Sequence, residues 1–149
     1  MRNEVCARAR RVYVSQAPLL MCVEDDASVR EAIKGLLVAL GFAVEVFSSA
    51  EEFIQSSQLS ETSCLITDVQ LGGMSGIELQ HTLNASGHCI PTIVITSYPD
   101  DHIRAQALSA GAVCFLCKPI DKDELLNCIY SALNRQSDVA KPGTGEGPG

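Results

Sequence analysis

Five short apolar runs punctuate the chain: "LLMCV" (19–23), "AVEVF" (43–47), "CLIT" (64–67), "TIVIT" (92–96) and "VCFL" (113–116). Runs of this length between polar segments read as strands, and apolar residues spaced by three and four between them read as helices. The first helix is the clearest. Val29, Ala32, Ile33, Leu36, Leu37 and Leu40 recur at that spacing, Asp26 can cap the start and Gly41 can end it. Ser49-x-x-Glu52 and Asp121-x-x-Glu124 have the capping-box pattern. They open a second helix carrying Phe53 and Ile54, and a last one with Leu126, Ile129, Tyr130 and Leu133 on one face. Fainter helical patterns lie near 75–85 and 100–110. Alternation of strand and helix predicts a parallel sheet covered by helices on both sides. Glu45 between Val44 and Val46 puts the second strand at an edge, whereas the third and fourth runs, apolar nearly throughout, belong inside.

Length and charge narrow this picture. With 149 residues the chain suits one domain with a real core. No apolar run approaches the ~20 residues needed to span a bilayer, which speaks against a membrane-embedded protein. Eighteen acidic against eleven basic residues give a formal charge of -7, which opposes DNA binding by this chain alone. Arg2, Arg8, Arg10 and Arg11 mark residues 1–17 as a basic extension, 18–135 as the domain, and the Gly/Pro-rich end as a disordered tail or truncated linker over 136–149. Seven cysteines, an odd number and mostly within apolar runs, read as free buried thiols of a reducing cytoplasm. Cys114-x-x-Cys117 could be a redox or metal dithiol, but residues three apart on a strand face opposite ways.

Four of the five runs stop at reactive polar residues: Glu24 and Asp25 after the first, Asp68 after the third, Thr96 closing the fourth, Lys118 just past the fifth. In an open parallel sheet all of these reach one edge, where such folds bind ligands. Each carboxylate pair at ~4–6 Å would cost on the order of 3–4 kcal/mol at an effective dielectric near 20. One lysine cannot neutralise three charges, so a hard divalent cation is expected, and a site with few protein oxygens suits Mg²⁺. Asp26, by contrast, reads as a helix cap, and His81, His88 and His102 lack metal-ligand spacing.

The stretches "VEDDASVR" (23–30), "LITDVQLGGMSGIEL" (65–79), "IPTIVITSY" (90–98) and "AGAVCFLCKPI" (110–120) follow one another as in the receiver domains of two-component response regulators, which the chain resembles over residues 18–135. The resemblance implies a flavodoxin-like (βα)5 fold of strand order 2-1-3-4-5. It implies Asp68 as phosphoacceptor from a phosphohistidine on a sensor histidine kinase or phosphotransfer protein. It also implies Mg²⁺ held by Asp25, Asp68 and the Gln70 backbone carbonyl, with Glu24 acting through water. Lys118 and Thr96 would pair with phosphoryl oxygens, and backbone N–H groups near Val69 and Ser97 would complete the cradle. Thr96 and Phe115 would form the switch, read out on the fourth helix, fifth strand and fifth helix by a downstream effector or a second copy. Pro119 would follow a cis peptide bond that aims Lys118. Three residues depart from the usual pattern: Glu24 for Asp, Gly72 for Pro, and Ser97 for a smaller residue. Gly72 and Gly73 should loosen their loop. Two other classes compete. An aspartate-nucleophile phosphatase of the haloacid dehalogenase type would need an Asp where Gln70 stands. A non-phosphorylated interaction module on the same fold would typically have lost one of the acidic or lysine residues retained here.

Overall fold

The computed structural model describes residues 18–140, with side chains as far as residue 134. The expected extension over 1–17 and the end of the expected tail lie outside the described residues. The elements run β1 (Leu19–Val23), α1 (Ala27–Ala39), β2 (Ala43–Phe47), α2 (Ala50–Ile54), β3 (Cys64–Asp68), α3 (Gly76–Ala85), β4 (Thr92–Thr96), α4 (Asp101–Ser109), β5 (Cys114–Cys117) and α5 (Lys122–Ala140). The strands form one parallel sheet in the order β2-β1-β3-β4-β5. This is the flavodoxin-like architecture. β2 is indeed an edge strand, while every residue of β3 and β4 is buried. The last helix continues to Ala140, past the domain end expected at 135, because no helix breaker precedes Pro142.

Strand periodicity sorts the core onto two faces. Leu20, Cys22, Ile66, Ile93, Ile95 and Leu116 meet Ile33 and Leu37 of α1 and Leu125 and Ile129 of α5. Met21, Val23 and Leu65 meet Phe53, Leu79 and Leu83 on the other side, where Val94 meets Ala107 of α4. The buried stripe of α5 is Leu125, Cys128, Ile129 and Ala132. Tyr130, expected on that stripe, lies one residue past it and is 52% exposed. One helical step of 100° is enough to turn it outward.

The helix ends show how local chemistry places the loops. Asp26 accepts the Val29 N–H at 3.1 Å, and Gly41 leaves α1 at φ +96°, a conformation that disfavours any side chain. At α2 only half of the expected box forms: Ser49 accepts the Glu52 N–H, but Glu52 turns to the Ser48 N–H at 2.8 Å. Asp121 accepts the Glu124 N–H at 2.9 Å. The reciprocal box sits instead on α3, between Ser75 and Glu78, at 3.1 and 2.9 Å. The helix with the faint apolar pattern therefore has the best-defined start.

One cysteine expectation is overturned. Cys114 of β5 and Cys128 of α5 are joined by a disulfide, their Cα atoms 6.1 Å apart. Fourteen residues separate them in sequence, and only the docking of α5 on the sheet brings them together. Cys22 and Cys64 are free and buried, and Cys89 and Cys117 are free and exposed. Cys114 and Cys117 do not face each other.

Candidate functional site

The sheet order reverses between β1 and β3, so the crossovers leave these two strands in opposite directions and open a crevice beyond their carboxyl ends. Glu24 follows β1 and Asp68 ends β3, and both are buried. Asp25 is exposed at the mouth. A carboxylate oxygen from each of the three can be chosen so that all lie within 4.8 Å of one another. Lys118, delivered from the end of β5, reaches across the crevice to Asp68 Oδ2 at 2.7 Å and Glu24 Oε1 at 2.8 Å. The peptide bond between Lys118 and Pro119 is cis.

The two buried carboxylates are held from the backbone. The second oxygen of Asp68 accepts the Gln70 N–H at 3.0 Å, and Glu24 Oε2 accepts the Asp26 N–H at 3.1 Å. The Lys118 N–H bonds the Thr96 carbonyl at 2.8 Å, which fixes the end of β5 beside β4. Burial alone would lower the pKa of Lys118, but its hydrogen bonds to Asp68 and Glu24 more than offset this and raise it, so it is held charged. Burial pushes the carboxyl of Glu24 up, against the opposing pull of Lys118 and the Asp26 N–H. Thr96 is buried, and its hydroxyl oxygen accepts the Tyr98 N–H at 3.0 Å. Of the backbone N–H groups near Val69, that of Val69 itself bonds the Ile95 carbonyl at 2.9 Å. The Gln70 N–H is the one that turns to Asp68.

Phe115 is the second residue of β5, on the α4 side, half-buried against Ile103 and Ala107. The guanidinium of Arg104 sits 5.8 Å from its ring centre. Strand alternation puts the ring on the α4 side of the sheet, opposite to Cys114 and Leu116, which pack toward α1 and α5.

Three supports escaped the sequence reading. Arg30, in the first turns of α1, donates to the carbonyls of Glu24 at 2.9 Å and Asp25 at 3.5 Å, clamping the acidic loop from behind. Gly76 opens α3 against the acceptor strand: a Cβ there would overlap the Asp68 carbonyl oxygen and come within 3.1 Å of Thr67 Oγ1. Glu51 of α2 accepts the Met74 N–H at 3.0 Å and so tethers the loop that Gly72 and Gly73 were expected to loosen. Arg30 could have been found from its place one to two turns after the acidic pair. The others depend on contacts between distant segments.

A family model described as the response regulator receiver domain matches residues 20–130. The chain belongs to this family. The receiver is 38% identical over 128 residues to response regulator protein TodT of Pseudomonas putida, covering 86% of this chain and 56% of that protein. It is 39% identical over 121 residues to nodulation protein W of Bradyrhizobium diazoefficiens, covering 81% and 53%. It thus spans little more than half the length of these relatives. Among solved structures, response regulator StyR superposes with a TM-score of 0.78 at 36% identity, covering 88% of this chain and 66% of that one. FixJ-N superposes at 0.73 and 33% identity, covering 80% and 96%. No helix of the described receiver is long and apolar enough to cross a membrane.

Proposed function

We propose that this receiver accepts a phosphoryl group on Asp68 from a phosphohistidine of a sensor histidine kinase or phosphotransfer protein, in the cytoplasm. The observation that carries this reading is the buried Asp68 carboxylate. One of its oxygens is committed to the Gln70 N–H and the other to Lys118, with two further acids within reach. The Asp68 oxygen attacks phosphorus, a P–O bond forms, and the P–N bond to the donor imidazole breaks. Lys118, held charged, then pairs with a phosphoryl oxygen, and the Thr96 hydroxyl donates to another. Slow hydrolysis of the acyl phosphate resets the site.

The residues fit Mg²⁺. Three carboxylates against one ammonium leave an excess of negative charge, and buried Glu24 Oε1 has no polar partner besides Lys118. Asp25, Asp68 and the Gln70 backbone carbonyl would hold the ion directly, with Glu24 acting through water. The ion would supply charge neutralisation on the transferring group.

Transfer would pull the Thr96 hydroxyl toward the phosphoryl group and let Phe115 turn inward, changing the α4-β5-α5 face for a downstream effector or a second copy of the chain. Net charge argues against direct DNA contact. The test is incubation with a small-molecule phosphodonor and Mg²⁺, followed by intact mass measurement. Wild type should gain one phosphoryl group and Asp68→Asn none; no gain on wild type, or an equal gain on both, overturns the reading.

A further inference from the structure

The four cysteines buried or half-buried in the core between the sheet, α1 and α5 do not share one chemistry. Cys22 and Cys64 are enclosed, and burial pushes both thiols up to about 12, so they stay protonated and inert. Cys114 is partly buried at the first position of β5, and Cys128 faces it from the buried stripe of α5. Their Cα separation of 6.1 Å falls within the ~4.4–6.8 Å that a disulfide spans. Exposed Cys89 and Cys117 are free. The six cysteines among the described residues therefore include one matched pair.

The pair joins the two elements whose relative placement defines one face of the molecule. Without a bond, the buried apolar side chains among the described residues of α5 that hold it on the sheet, besides Cys128, are Leu125, Ile129 and Ala132. With it, the start of β5 and the middle of α5 become one covalent unit. Phe115 is the very next residue of β5 after Cys114.

We propose that Cys114 and Cys128 are a reversible thiol–disulfide site that sets how firmly α5 is held to β5. Its regulatory meaning rests on the receiver reading, which makes α4-β5-α5 the output face; the bond itself does not. A low-molecular-weight disulfide, RSSR, is the oxidant. Cys114, the less buried of the two, attacks one of its sulfurs as thiolate, and the first RS⁻ leaves and takes up a proton. Cys128, as thiolate, then attacks the Cys114 sulfur and expels the second RS⁻, which is protonated in turn. Two thiols and one RSSR give one protein disulfide and two RSH, the cysteines losing two electrons and RSSR gaining them. Excess RSH reverses both steps.

Cys114 lies four residues before Lys118, about 13 Å along an extended strand. Chemistry at the cysteines is therefore separate from chemistry at Asp68. The full chain is equilibrated in oxidised or reduced glutathione, alkylated and mapped by peptide mass spectrometry. Thermal melts and amide hydrogen exchange are measured on the same samples. Oxidised wild type should give a peptide linking Cys114 to Cys128. It should melt roughly 10 °C above the reduced form, as closure of a short loop predicts. Exchange in α5 should slow by about tenfold or more, in line with that stabilisation. Cys114→Ser and Cys128→Ser should melt like reduced wild type in both buffers. Linkage of other cysteines, no linkage, or a linked form with unchanged melting and exchange overturns the proposal. Phosphoryl gain at Asp68 is scored separately in both redox states, so failure of the receiver reading would appear there and leave the cysteine result standing.

Discussion

Gly76 shows how little room the acceptor leaves around itself. It is the first residue of α3, its N–H bonds the Val69 carbonyl at 3.0 Å, and an added methyl group would meet the backbone of Asp68. Backbone cannot step aside as the end of a flexible side chain can. Gly76→Ala should therefore cost roughly 1–3 kcal/mol in urea unfolding, as overpacking does, and should also slow phosphoryl acceptance by moving Asp68. Gly73→Ala is the contrast: its Cβ would lie 2.7 Å from a Glu51 carboxylate oxygen, a side-chain tip that can rotate away with the loss of one hydrogen bond, from the Met74 N–H. The contrast explains what was legible at this scale. Glu24, Asp25, Asp68 and Lys118 announce themselves because each interrupts or follows an apolar run. Gly76 meets the backbone of the strand before it and Glu51 that of a loop 23 residues on, and no apolar or polar run records such a partner.

Among the elements, α3 is the most instructive. Its apolar periodicity is weak because it buries Gly76 and Gln80 as well as Ile77, Leu79 and Leu83. The Ser75–Glu78 box compensates by satisfying donors at its first turn, and it stands seven residues after the acceptor. Ser75→Ala should lower stability by about 1 kcal/mol, read as a lower urea midpoint at unchanged slope. Strand identity and order were readable from alternation and burial, since β2 at the edge keeps Glu45 while β3 and β4 carry continuous apolar runs. The Cys114–Cys128 pairing was not, because sequence spacing on a strand excludes a partner on that strand but says nothing of the helix that will cover it. The same blindness misassigned Tyr130, where one step around α5 separates core from solvent.

For the molecule as a whole, the excess of negative charge at the crevice is a cost of folding that a bound cation would relieve. Mg²⁺ should raise the melting temperature in a saturable manner, contributing about 1.4 kcal/mol at ten times its dissociation constant. Asp25→Asn should weaken that response; exposed at the mouth, Asp25 can be changed without disturbing the core. Sodium chloride at matched ionic strength should not reproduce the effect, which separates binding from screening.

Lys118 joins Asp68 to Glu24 across a span from the first strand to the last. In a parallel sheet no two neighbouring strands can close as a hairpin; each must await its crossover, so such contacts form late. During synthesis or refolding, an Asp68 already in place on β3 would lack its ammonium until β5 docks. Competence to take up a phosphoryl group would then date the arrival of the last strand, and a phosphodonor pulse during refolding would serve as a clock for it.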